Sequence, residues 1–184
     1  AAQHRRNAVF MFTDIVGSVE LKRRYGNEAI AKLIAQHDAR FREQLGKCTG
    51  AEVLKDTGDG FLARFTAPSE AVRFALAFQA ALQLADWQPV AFEVRIGIHL
   101  GEIQALEEEE GESPKMVGLA IDLASRVMEL ADGSQILMTG EVFDEARTTI
   151  IERPLADEDS TELSWMAHGP YLFQGLEEPV DVFE

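Results

Sequence analysis

Apolar residues run unbroken from Ala8 to Phe12 and stop at Thr13 and Asp14, the pattern of a central strand buried on both faces. Between about Val16 and Leu45 the spacing changes. Ile30, Leu33, Ile34, His37 and Phe41 recur at steps of three and four, which predicts helix, and Gly26-Asn27 divides it into two. Glu52 to Lys55 and Phe61 to Phe65 flank Gly58-Asp59-Gly60, a hairpin signal. Thr66, Pro68 and Glu70 open a helix whose apolar stripe runs from Val72 through Phe74, Phe78 and Leu82 to Trp87, before Pro89. Phe92, Val94, Ile96 and Ile98 then alternate with polar or small residues, as in a half-buried strand. A glutamate run, 107–112, reads as a solvated loop or hairpin tip. Helix is expected over Gly118 to Leu130, strand over Gln135 to Met138, and a short helix over Gly140 to Ala146. Two strands, Tyr171 to Phe173 and Val180 to Phe183, end the chain.

The order is therefore β-α-α-β-β-α-β, a loop, then α-β-α-β-β. Its first part is the split βαβ arrangement. The predicted fold class is α+β: a ferredoxin-like, mostly antiparallel sheet with helices against one or both faces and a C-terminal β extension, in one domain spanning residues 1–184.

Composition narrows the chemistry. The 184 residues carry 17 Lys and Arg against 32 Asp and Glu, a net charge of −15. That balance excludes a nucleic-acid sleeve, which needs clustered cations, but permits a local phosphate site. Cys48 is the sole cysteine, so an internal disulfide or a cysteine zinc site is excluded. No apolar stretch approaches the roughly 20 residues of a membrane span, and Ala8 to Phe12 is too short for a signal-peptide core. A cytoplasmic domain without membrane contact is expected. Its start at Ala1 and end at Glu184, in mid-pattern, suggest a piece of a longer protein.

Asp14 ends the first strand and Asp59 lies in the hairpin turn. A split βαβ sheet makes those two elements neighbours, so the carboxylates can converge at one sheet edge. Two carboxylates on a rigid edge suit Mg²⁺ or Mn²⁺, which take oxygen ligands, keep some water and complete their shell with phosphate oxygens. Each residue also has a plainer explanation: Asp14 as a helix cap, Asp59 as a turn aspartate.

The surrounding strings are Phe12-Thr13-Asp14-Ile15-Val16-Gly17-Ser18, Lys55-Asp56-Thr57-Gly58-Asp59-Gly60 and Arg95-Ile96-Gly97-Ile98-His99-Leu100-Gly101-Glu102. They continue with Gly118 to Val127, Gly133 to Met138 and Gly175 to Val180. In order and spacing, from about Ala8 to the C-terminus, they resemble the class III nucleotidyl cyclases. The resemblance implies conversion of a nucleoside triphosphate to the 3′,5′-cyclic nucleotide and pyrophosphate with two Mg²⁺ or Mn²⁺ ions. It further implies Asp14, Asp59 and the Ile15 carbonyl as metal ligands, and a homodimer with shared active sites. ATP is the implied substrate, GTP a possible one. Arg126 matches the family's transition-state arginine and Lys55 its adenine-facing lysine.

Three positions depart from the family pattern. Asp122 stands four residues before Arg126, where the family has Asn; an ionised carboxylate accepts hydrogen bonds but cannot donate to the ribose. Lys115 occupies the second purine-contacting position, usually Asp, Thr or Ser; it offers donors only and either meets the base or turns to solvent. Gln174 stands where a phosphate-binding lysine is frequent. These departures support an alternative, a catalytically degenerate cyclase homology domain with a dimerising, nucleotide-binding or regulatory role. The acidic residue typical of guanylyl cyclases is absent at Lys55. His99 has no His or Cys partner at ligand spacing and is expected to be structural.

Overall fold

The uninterrupted apolar run at residues 8–12 becomes the centre of the sheet. The computed structural model describes residues 5–104, 118–152 and 163–184. Strand β1 (Arg5–Ile15) leads through helices α1 (Ser18–Tyr25) and α2 (Asn27–Leu45) to the hairpin of β2 (Glu52–Asp56) and β3 (Phe61–Phe65). Helix α3 (Pro68–Gln83) and β4 (Val94–Gln104) complete the split βαβ unit. Then follow α4 (Leu119–Leu130), β5 (Ile136–Thr139), α5 (Gly140–Glu152), β6 (Ala167–Tyr171) and β7 (Val180–Phe183). Among the described residues the strands form one sheet, ordered β2-β3-β1-β4-β5-β7-β6. Only the β4–β5 pair is parallel, so the predicted ferredoxin-like sheet with its C-terminal extension is the observed one.

Alternation along β1 divides the domain into layers. Val9, Met11 and Ile15 join the core formed with α2, α3 and α5, where Phe41 stacks on Phe61 at 4.1 Å and meets Phe74 and Phe78 edge-on. Such ring pairs each add about 0.5–1.5 kcal/mol beyond their buried area. His37, read as an apolar-stripe position, is fully buried there against Phe61 and Phe78. Ala8, Phe10 and Phe12 point the other way, toward Ala120 and Ala124 of α4. Asp14 follows in the same alternation, so β1 ends with a carboxylate on the α4 face.

Helix α4 lies close on β4 because two positions there lack side chains. A Cβ on Gly97 would stand 2.2 Å from the backbone nitrogen of Met128, and one on Gly101 would stand 2.4 Å from the Ala120 Cβ. Beyond β4 the helix covers β5 and β7 through Leu123, Val127, Leu137, Phe173 and Val182.

Four boundaries differ from the expected ones. α3 ends at Gln83 rather than near Trp87, because the chain turns back at Leu84 and the Trp87 indole donates to the Leu82 carbonyl. β4 begins at Val94, not Phe92, although Phe92 is buried. α5 continues beyond Ala146 to Glu152, with Ile150 packed in the core. The penultimate strand is Ala167–Tyr171, not Tyr171–Phe173. It is a largely exposed edge strand, where hydrophobic alternation carries no signal, and Phe173 instead fills the core under α4. The glutamate run 107–112 and Lys115 lie outside the described residues. No helix among the described residues is long and apolar enough to cross a membrane.

Gly97→Ala is expected to cost about 1–3 kcal/mol of stability by pushing α4 off the sheet. Gly140→Ala, whose Cβ would meet nothing nearer than 3.6 Å, is expected to stay within about 0.5 kcal/mol of the parent. Urea denaturation of the two variants checks both.

Candidate active site

The turn carrying Asp59 is fastened to the end of β1. Ile15 N–H donates to the Asp59 carbonyl at 2.8 Å, and the Phe61 amide donates to the buried Thr13 hydroxyl at 3.0 Å. Gly60 makes that contact possible, since a Cβ there would stand 1.8 Å from the Thr13 carbonyl oxygen and 3.0 Å from the Asp14 Cα. Gly58, at φ +89°, turns the chain in a conformation that glycine favours. Neither aspartate caps a helix through its side chain. Asp14 instead faces Arg95 across the β1–β4 ladder, and Asp59 takes the Ser18 hydroxyl on Oδ2 at 2.7 Å.

Arg95 grips Asp14 with two nitrogens. Its Nε donates to Oδ2 at 2.9 Å, Nη2 lies 2.8 Å from the same oxygen as an ion pair, and Nη1 donates to the Glu129 carbonyl of α4 at 3.4 Å. The Asp14 carboxyl is nonetheless raised above the usual carboxylate range. Burial is the main cause, partly offset by the Arg95 hydrogen bond, while the Asp59 charge adds to the rise. A partly buried Asp14 carboxyl whose ionisation is opposed by burial and by a neighbouring carboxylate is a hard-oxygen group that a cation would relieve. No group of three or more His, Cys, Asp or Glu among the described residues could hold a metal. Two carboxylates alone would leave a divalent cation to complete its shell with backbone, water or phosphate oxygens.

Lys55 stands in the same lateral row as Leu62, Phe12 and Gly97, and is exposed on the hairpin. Asp122 and Arg126 sit one helical turn apart on α4. Arg126 Nε pairs with Asp122 Oδ2 at 2.8 Å, and its Nη1 donates to the Gln174 carbonyl at 2.7 Å. Among the described residues, no hydrogen bond or ion pair joins this group to Asp14 or Asp59. One chain thus presents two separate groups of these residues.

Sequence reasoning assigned no role to Ser18 or Arg95, although both stand in the quoted motifs. Arg95 was visible as a polar residue in the β4 alternation, yet its pairing with Asp14 depends on a register that only the assembled sheet defines. His99 is structural, as expected: its Nδ1 lies 2.9 Å from the buried Thr139 hydroxyl, and burial lowers its pKa to about 4.

The family described as the adenylate and guanylate cyclase catalytic domain matches residues 1–162. An adenylate cyclase of Neurospora crassa is 30% identical over 175 residues, covering 83% of this chain and 8% of that protein. Adenylate cyclases of Trypanosoma brucei, solved in their monomeric state, superpose with a TM-score of 0.78 at 21% identity, over 96% of this chain and 86% of theirs. The guanylyl cyclase Cya2 superposes with a TM-score of 0.76 at 19% identity, over 100% of this chain and 93% of its own. The two structural likenesses show the fold, and at TM-scores of 0.78 and 0.76 they do not separate adenylate from guanylyl cyclases.

The buried imidazole gives a pH dependence. The unfolded chain protonates His99 near 6.5 while the folded chain resists to about 4, so stability falls as pH drops through that window. The contribution reaches at most about 3 kcal/mol. Thermal midpoints at pH 7.5 and 5 are expected to differ less in His99→Gln than in the parent.

Proposed function

Because the chain belongs to the adenylate and guanylate cyclase catalytic-domain family, we propose that it converts ATP to 3′,5′-cyclic AMP and pyrophosphate at sites shared by two copies of the chain. The observation that carries this reading is the junction of β1 with the β2–β3 turn, which holds Asp14 and Asp59 beside the Ile15 backbone. In the reaction the ribose 3′-oxygen bonds to the α-phosphorus, the bond from that phosphorus to the bridging oxygen breaks, and pyrophosphate leaves. The hydroxyl proton passes to solvent water.

Asp14, Asp59 and the Ile15 carbonyl are the groups that would hold two Mg²⁺ or Mn²⁺ ions. Such ions supply a lowered hydroxyl pKa and neutralise charge developing at phosphorus. The chain itself contributes positioning. Ser18 fixes the rotamer of Asp59, and the Thr13–Phe61 bond keeps the turn from drifting off β1. Arg126 offers a planar fork that suits a five-coordinate phosphorus. Since Arg126 makes no contact with the carboxylate pair of its own chain, a second copy presenting its Arg126 would complete each site. Lys55, on the exposed hairpin row, is the group to meet the purine; Lys115 is the second.

One observation favours the non-catalytic alternative. Asp122 engages Arg126 in an ion pair, at 51% and 31% side-chain exposure, where a neutral amide would leave the guanidinium to the phosphate. An exposed pair of this spacing is worth only about 0.3–0.5 kcal/mol, so a triphosphate outcompetes it. The pair therefore slows the enzyme rather than silencing it.

Incubation of the purified chain with Mn²⁺ and either ATP or GTP, followed by chromatographic detection of cyclic product, tests the reading. Cyclic AMP is expected from ATP, and Asp14→Asn or Asp59→Asn should lower its rate at least about 100-fold. Asp122→Asn should raise it by about twofold. A folded protein that forms no cyclic product from either nucleotide would establish the degenerate alternative.

A further inference from the structure

Resting on the reading of Asp14 and Asp59 as cation ligands, we propose that Arg95 is the resident counter-ion of that pair and sets how weakly the site takes up a free divalent cation. The first observation is how its donors are used. The Nε hydrogen bond and the Nη2 ion-pair contact both fall on the same oxygen, Oδ2, and no hydrogen bond runs from the guanidinium to Oδ1. The third nitrogen is turned away, to the Glu129 carbonyl. The fork therefore sits on one side of the carboxylate and leaves its other side facing away from Arg95.

The second observation is charge. Asp14 and Asp59 together carry two negative charges, and Arg95 supplies one positive charge in direct contact with Asp14. A divalent ion at the far oxygen of Asp14 would lie within a carboxylate's width of the guanidinium, well inside a Debye length of about 8 Å. Their repulsion weakens cation binding, and partial burial prevents solvent from screening it fully. A polyphosphate bringing its own negative charge offsets that repulsion, so cation uptake is coupled to substrate.

The third is rigidity. β1 and β4 are paired in register from Arg5–Gln104 to Ile15–Val94, and α4 lies against Gly97 two residues on. Arg95 cannot withdraw from Asp14 without giving up the Glu129 contact as well. A guanidinium serving only as a staple between β1, β4 and α4 would change stability on removal and leave cation affinity alone, which separates the two roles.

The test is a Mn²⁺ titration followed by the electron paramagnetic resonance signal of the free ion, with no nucleotide present. Arg95→Gln keeps a donor toward Asp14 but removes the charge, and should take up Mn²⁺ roughly tenfold more tightly than the parent. Arg95→Lys keeps the charge without the fork, and should stay within about threefold of the parent. Uptake by Arg95→Gln that is unchanged or weaker overturns the proposal. Should Arg95→Gln fail to fold, Arg95→Lys decides alone: a change of about tenfold in either direction overturns it. Asp14→Asn separates the failures. Uptake by the parent that survives Asp14→Asn removes the ligand reading and the proposal with it. Uptake abolished by Asp14→Asn, with no tightening in Arg95→Gln, removes the proposal alone.

Discussion

Helix α4 rests on β4 with nothing but backbone beneath it at Gly97 and Gly101. Most of what lies on that side of the sheet follows from this contact. The helix axis comes low enough for Glu129 to offer its carbonyl to Arg95, and for Ala120 and Ala124 to close over Phe10 and Leu62. It also turns the Asp122–Arg126 face away from the sheet, toward the segment around Gln174. A larger residue at either glycine would move a catalytic-domain helix and a candidate half-site together.

The opposite face has no such fine tolerance. Phenylalanines on α2, β3 and α3 fill it by mass, with His37 among them, and their role is to hold β1 rigid. That rigidity matters because the two aspartates come from segments 45 positions apart in the chain. They stay together through three hydrogen bonds at the strand end, from Ile15, Phe61 and Ser18. The chain's acidity takes a different meaning at this point: most of its carboxylates keep the surface hydrated, whereas these two are held near enough that the Asp59 charge opposes ionisation of Asp14.

Much of this was legible in the chain. The order of elements, the central strand and the hairpin turn follow from apolar runs and a Gly-Asp-Gly signal, because those features are local. Asp14 and Asp59 could be paired in advance since a split βαβ sheet makes β1 and the hairpin neighbours. The Asp14–Arg95 pair was not legible, because register is a property of two strands and 81 residues separate the partners. The Arg126–Gln174 contact was hidden for the same reason, at 48 residues' separation. Edge strand β6 was displaced by a few residues because its exposed positions carry no alternation, while the nearby Phe173 belongs to a core and mimics one. Trp87 extended the apparent helical stripe of α3 although its ring returns from a loop.

The two outer strands have a consequence for how copies of this domain can meet. β6 contains Pro170, which has no N–H to offer, and its ladder to β7 shifts register between Ala167 and Gly169, where Gly169 adopts φ +91°. At the far end, β2 is irregular between Val53 and Lys55 and exposes Glu52, Lys55 and Asp56. A neighbouring chain seeking to extend the sheet would find irregular hydrogen-bond rows at both ends and unlike charges along β2. Lateral stacking into ribbons is thereby disfavoured. What remains open to a second copy is the faces and helices, where side chains rather than backbone would choose the partner.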